Sequence, residues 1–231
     1  MENVKKLDVI LLSGRAKEKF RLEMNKDKDF SKWLTSTLPE IQDCDGLNQN
    51  SVWHTDDVLT HMLKSVDSLT NKFNDLEANR KRLLSYTMFL HDIGKPEAKT
   101  DQMKDGKVIS SFKGHSETSE KIARRVLPEF DFSEKEIEVM SALILNHDCL
   151  MNEFKGQDLN KKLKYRQETV QGTIDYFSRL GDGYELACDL FMVIYADNMA
   201  QNPKLTQNIA NAALEAHDKI SQMEKQNDEY R

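Results

Sequence analysis

The stretch Leu83-Leu84-Ser85-Tyr86-Thr87-Met88-Phe89-Leu90-His91-Asp92-Ile93-Gly94-Lys95-Pro96 decides the class of fold. Its apolar residues Leu83, Leu84, Met88 and Phe89 recur at helical spacing and predict a helix over 76–92. Gly94 and Pro96 then stop it, as a glycine past the last turn and a trailing proline do. His91 falls three residues after Met88 and seven after Leu84. Asp92 falls four after Met88 and three after Phe89. The helical period therefore sets an imidazole and a carboxylate beside an apolar face.

Outward from this segment the period stays helical. Val58, Met62, Leu63, Val66, Leu69 and Phe73 form a stripe over 54–73. Upstream, Val9–Met24 and Phe30–Leu38 read as two short helices, the second ended by Pro39. Downstream, helices are expected at about 115–127, 134–147, 160–180, 184–198 and 204–226. The last is polar, with a thin stripe of Leu205, Ile209, Ala213, Ala216 and Ile220. Only residues 101–112 break the pattern. Asp105-Gly106 lies there between short mixed segments and reads as a hairpin turn. The expected fold is all-α, with one small β-hairpin near 101–112.

Four further ionisable residues repeat the placement of the His-Asp pair. His147 follows Ile144 by three residues and Leu143 by four. Asp197 follows Val193 by four and Ile194 by three. His54 precedes Val58 by four, and His115 precedes Ile122 by seven. His61 lies seven after His54 and shares its face; it reads as a core or rim histidine. A buried carboxylate or imidazole costs several kcal/mol or more unless paired or bound to a metal. One or two divalent cations would satisfy His54, His91, Asp92, His115, His147 and Asp197 together, and imidazole with carboxylate suits Mn, Co, Ni or Fe, carboxylate Mg. The dipeptide His-Asp alone says little, since it also occurs at His147-Asp148 and His217-Asp218. The last of these falls on the polar C-terminal helix and reads as a solvated pair.

Composition narrows the partners. With 33 Lys+Arg against 39 Asp+Glu the net charge is -6, so bulk attraction to nucleic acid or anionic lipid is not expected. Cys44, Cys149 and Cys188 are odd in number, far apart and without C-x-x-C spacing, which reads as reduced thiols. The longest apolar runs are too short to span a bilayer and the N-terminus lacks a signal-peptide core. A cytoplasmic protein with no membrane partner is expected, its oligomeric state open. Lys155, Lys161, Lys162, Lys164 and Arg166 form the one basic concentration. A solvated helical face is the default for such a cluster, and a rim guiding a phosphorylated substrate or an RNA end is the sharper reading.

The ordered set His54, His91-Asp92, His115, His147 and Asp197 resembles the HD superfamily of metal-dependent phosphohydrolases. The surrounding words are similar to those of the HD domain of bacterial tRNA nucleotidyltransferases, the CCA-adding enzymes. They are Leu38-Pro39-Glu40, Gly46-Leu47-Asn48-Gln49, Val52-Trp53-His54-Thr55, Leu90 to Pro96, Asp105-Gly106, Phe112-Lys113-Gly114-His115, Asn146-His147 and Ala196 to Pro203. The resemblance spans roughly 38–203 and does not extend to a nucleotidyltransferase head. Asp27-Lys28-Asp29 and Asp43-Cys44-Asp45 match an Asp-x-Asp metal pair by letter only, with no Gly-rich strand-turn beside them.

The resemblance implies residues 1–50 as an N-terminal helical extension, 51–203 as the HD hydrolase domain and 204–231 as a C-terminal helix packed on it. It implies a core metal site of His54, His91, Asp92 and Asp197, with Asp92 bridging if two ions bind and His115 and His147 completing the second. With one ion held, His115 or His147 would position phosphate or protonate the leaving group. Lys95 would reach the phosphoryl group as a point charge, against a plain surface lysine at a helix C-terminus. The implied activity is phosphodiesterase or phosphatase action on a nucleotide, a cyclic nucleotide or a nucleic-acid end. A di-iron HD oxygenase acting on a small organic substrate and a non-catalytic nucleotide-binding module are the alternatives.

Overall fold

The computed structural model describes residues 2–148, 153–154 and 156–229. Cys149 and Lys155 lie outside the described residues. The chain begins with α1 (Glu2–Leu11), α2 (Ala16–Lys26), α3 (Lys28–Thr37) and α4 (Glu40–Cys44). Then follow α5 (Val58–Lys72), α6 (Ala78–Leu90), α7 (Lys95–Ala98) and the hairpin β1 (Thr100–Lys104) and β2 (Lys107–Ser111). The second half holds α8 (His115–Val126), a 3-10 turn (Leu127–Phe130), α9 (Glu134–Asn146), α10 (Gln167–Phe177), α11 (Gly183–Met199) and α12 (Pro203–Glu229). The fold is all-α with one small hairpin, as the periodicity predicts.

Helix ends follow the local chemistry. Asp27, Asp57, Glu77 and Asp182 each accept hydrogen bonds from first-turn N–H groups of α3, α5, α6 and α11. Ser133 and Glu136 form a reciprocal capping box at α9. In the hairpin, Lys104 pairs with Lys107 in antiparallel register. Asp105 and Gly106 both have positive φ (52° and 74°), the demand of a tight two-residue turn whose twist matches the strands.

Helix α11 is the axis of the molecule. Thirteen of its residues, from Gly183 to Asn198, are buried, and it packs against α5, α6, α9, α10 and α12. A helix covered all round is apolar all round, which is why Leu190–Ala196 reads as a continuous apolar run. The N-terminal helices belong to the same core, through Leu7, Ile10, Leu11, Phe20, Phe30 and Leu34. Arg80 of α6 clasps α11, donating to Asp189 Oδ1 (2.7 Å) and to the Glu185 carbonyl (2.9 Å). The clasp holds the two helices that carry His91-Asp92 and Asp197. Among the described residues no helix is long and apolar enough to cross a membrane.

Three expected elements differ. Val9–Met24 is not one helix, because the chain turns at Gly14 (φ 68°) between α1 and α2. The expected 160–180 helix starts only at Gln167. The preceding segment is held irregular by Gln157, whose side chain bonds both the N–H and the C=O of Lys164. Finally, α5 begins at Val58 rather than at residue 54, which matters for the site.

Gly94 sets how closely the HD segment meets α8. A Cβ there would lie 2.5 Å from the Ser119 backbone nitrogen and 2.8 Å from the His115 carbonyl oxygen. Gly94 N–H also donates to Ser119 Oγ (2.9 Å). Gly94→Ala is expected to cost about 1–3 kcal/mol through overpacking, read as a lower urea midpoint, and to move His115 away from Asp92.

Candidate metal centre

Asp92 lies just past the C-terminus of α6 and is 1 % exposed. Its two oxygens face two different groups of side chains. Oδ2 stands 3.2 Å from His61 Nε2 and 3.3 Å from His91 Nε2. Asp197 Oδ1 closes that group at 2.9 Å from His61 and 3.5 Å from His91. Oδ1 of Asp92 faces His115 Nε2 at 3.2 Å and His147 Nε2 at 3.7 Å. The cluster thus comprises His61, His91, Asp92 and Asp197 on one side and Asp92, His115 and His147 on the other.

The backbone aims the rings. His91 Nδ1 contacts the Met88 carbonyl (2.7 Å), His115 Nδ1 that of Phe112 (2.9 Å) and His147 Nδ1 that of Ile144 (2.7 Å). In each case the carbonyl belongs to the residue three before. His61 Nδ1 faces the Ala200 carbonyl at 3.5 Å. A carbonyl only accepts, so Nδ1 carries the proton and a neutral ring turns its Nε2 lone pair inward. With the rings neutral, as cation binding requires, four Nε2 lone pairs converge on the two carboxylates. His61 Nε2 and His91 Nε2 are 3.2 Å apart, and His115 Nε2 and His147 Nε2 are 3.3 Å apart. Asp92 Oδ1 is buried without a hydrogen-bond donor.

Two donors each about 2.1 Å from one cation stand about 3.0 Å apart at octahedral angles and about 3.4 Å at tetrahedral ones. The separations fit that requirement, and the orphaned Asp92 Oδ1 is an atom that a second ion would satisfy. The donor set therefore suits a divalent cation, which either group, His61, His91, Asp92 and Asp197 or Asp92, His115 and His147, could hold. Gln201 fixes the second oxygen of Asp197, donating from Nε2 to Oδ2 (2.9 Å). Lys95 is buried and turned inward, with Nζ 2.6 Å from Asp92 Oδ2 and 2.8 Å from Gln49 Oε1.

His54, expected among the core ligands, falls outside both groups of converging donors. Asp57 caps α5, so residues 51–57 are irregular and the helical spacing that set His54 on an inner face does not operate there. His54 lines the cavity with its ring 5.1 Å from that of His61, and its buried Nδ1 has no partner. His61, read from the sequence as a core or rim residue, is fully buried inside the cluster. The signal that could have found it is its place within α5, on the stripe of Val58, Met62 and Leu69. His217 is far from the cluster and pairs with Asp218 (3.0 Å). The basic residues 161–166 do not line the cavity: Lys161, Lys162 and Arg166 are paired to Asp158, Glu215 and Glu153.

The HD domain family model matches residues 58–229, about three quarters of the chain. The chain belongs to the HD domain family. No curated protein matches it. The buried His–Asp cluster is the place in this HD domain where a divalent metal could be held.

Electrostatics prepare the cluster for a cation. Burial opposes charge on His91, but Asp92 and Asp197 outweigh it and raise its pKa to about 10. Burial, with His91 and His115 nearby, pushes His147 down to about 4. Burial and Lys95 push His54 down to about 3. Before a cation binds, the His91 side therefore holds a proton that the cation must displace. Affinity for Mn²⁺ is expected to rise as pH increases from 6 toward 9, with proton release measurable by calorimetry in buffers of different ionisation enthalpy. A pH-independent affinity would contradict this. His61→Ala is expected to weaken metal binding by at least about 100-fold, while His54→Ala keeps most of it, both read by equilibrium dialysis and metal analysis.

Proposed function

We propose that this HD domain is a phosphohydrolase that cleaves a phosphoester of a nucleotide, a cyclic nucleotide or a nucleic-acid end, using one or two divalent ions. HD domains are generally metal-dependent phosphohydrolases. The observation that carries the reading is the carboxylate of Asp92 shared between two groups of imidazole donors at the floor of an open cavity of about 610 Å³. Bound there, a divalent cation would lower the pKa of water toward neutrality and draw charge from a phosphoryl oxygen.

The chain's own residues have distinct parts in this reading. Asp92, His91, His61 and Asp197 would hold the first ion, and His115 and His147 would complete the second or, with one ion, face the substrate. Lys95 spends two N–H donors on Asp92 and Gln49 and keeps its third for a phosphoryl oxygen. It also prevents Asp92 from taking up a proton: burial would raise that carboxyl, but Lys95 and His91 hold it well below the usual range. His54, on the cavity wall, serves the substrate rather than the cation. The segments around Trp53-His54, His91 to Pro96 and Ala196 to Pro203 support placing this domain beside the HD domain of the CCA-adding enzymes.

A second reading draws on the nitrogen-rich donor set. Four imidazoles and a shared carboxylate also suit two irons that activate dioxygen on a small organic substrate. A phosphoester panel separates the two. With Mn²⁺, Co²⁺, Ni²⁺ or Mg²⁺, the protein is expected to turn over at least one class among 2′,3′-cyclic nucleotides, 3′,5′-cyclic nucleotides and nucleoside monophosphates. Asp92→Ala is expected to fall to background with helical content retained by circular dichroism. Silence across the panel, with iron in the purified protein, would favour the oxygenase.

A further inference from the structure

The cavity above the His–Asp cluster is much larger than a phosphoryl group needs, and its surface has two characters. The floor is Asp92, His115, His147 and Asp197. Trp53, Phe112 and Leu145 also line the cavity, so apolar side chains stand in the same space as the polar cluster. Leu145 is 38 % exposed. A substrate with an apolar, ring-bearing body would cover these side chains, whereas a small sugar or glycerol ester would leave them wet.

Of the two aromatic residues, Trp53 is the one with a ring to offer. The Lys95 ammonium stands 5.6 Å from the centre of the Phe112 ring. The Trp53 indole lines the cavity. The indole is half-buried, resting on the small cluster of Phe154, Leu163, Ile209 and Ala212. Its backbone is clamped: Trp53 N–H donates to Ser51 Oγ (3.2 Å), and the Trp53 carbonyl accepts from Asn202 N–H (2.8 Å). The Asn202 side chain holds the preceding carbonyl of Val52 (2.9 Å). A ring packed on a cluster, held on a clamped backbone and lining the cavity gives up little conformational freedom when it stacks on a ligand. Ser51, His54 and Gln201 beside it in the cavity supply hydrogen-bonding groups suited to the polar edges of a heterocycle.

We propose that Trp53 is a specificity-determining residue of this pocket, stacking on the base of a nucleoside phosphoester whose phosphoryl group lies at the His–Asp cluster. The position of the phosphoryl group rests on the phosphohydrolase reading; the recognition of the ring does not require turnover.

The test is calorimetric binding of adenosine 5′-monophosphate and of glycerol 3-phosphate to Mn²⁺-supplied protein, with phosphate release followed in parallel. Wild type is expected to bind the nucleotide more tightly than the ring-free ester. Trp53→Leu, which keeps the packing behind the indole, is expected to weaken nucleotide binding about 5- to 150-fold and leave glycerol 3-phosphate unchanged. Trp53→Phe is expected to retain most of the affinity. Equal binding of the two esters by wild type, or equal loss of both in Trp53→Leu, overturns the proposal. Independently of that variant's folding, the nucleotide is expected to quench wild-type tryptophan fluorescence but not that of Trp53→Phe. The indole left there, Trp33, lies against Phe30 and Phe130 in the N-terminal core. Absence of quenching in wild type also overturns the proposal. Trp53-dependent nucleotide binding without release of phosphate from either ester would instead sink the hydrolase reading and leave the ring site standing.

Discussion

A fully buried carboxylate that faces imidazole lone pairs through both of its oxygens is the constraint on which the rest of this structure depends. Lys95 bonds Asp92 through Oδ2. Among the described residues nothing donates to Oδ1. A buried carboxylate oxygen left without a donor is costly, and a cation at that oxygen would offset the cost. The surrounding helices are arranged to make such a balance available. Three of the cluster's histidines stand at helix ends, where each can turn Nδ1 onto the carbonyl three residues back and free Nε2 for the centre. The device needs no partner from elsewhere in the fold, and so recurs at His91, His115 and His147.

Holding these ends together is a packing problem, and two contacts solve most of it. Gly94 lets the turn after the His-Asp pair sit flush on the first turn of α8, bringing His115 to Asp92. Arg80 clasps α6 to α11 at the far end from the cluster. The relative position of Asp92 and Asp197 then follows from two helices packed together and tied toward their opposite ends. The seat of the His–Asp cluster is therefore set by contacts that lie outside it.

Much of this was legible in the sequence, and the parts that were not share a cause. The all-α class and the Asp105-Gly106 turn follow from short-range rules, a 3.6-residue period and the φ requirement of a tight turn, and both appear as expected. The burial of His91, Asp92, His147 and Asp197 follows from the same period, because each lies within or one or two residues past a real helix. The structure sets His61 rather than His54 among the converging donors because α5 starts at Val58, four residues after the start that the apolar period suggests. Asp57, the cap that ends it, is a short polar residue whose capping role is visible only once the helix start is known. The irregular segment before Gln167 escaped for a related reason: Gln157 competes for backbone groups at a distance of seven residues, which no helical window contains.

The corner between α11 and α12 connects the metal floor to the recognition wall. Asp197 supplies a carboxylate to the cluster, and the Ala200 carbonyl faces His61 Nδ1. Two residues further, Asn202 clamps Val52 and Trp53 through their carbonyls. Thr206, at the start of α12, donates to the Asn198 carbonyl and locks the corner (2.8 Å). One short segment thus sets the aim of a cluster histidine, the seat of a cluster carboxylate and the standing of the indole on the cavity wall. In the proposed reading, a substitution at Asn202 would disturb both the indole and the corner beside the cluster, whereas Trp53 and Leu145 are not among the converging donors. On that reading specificity is freest to vary on the wall side of the cavity and most constrained at the corner that joins it to the floor.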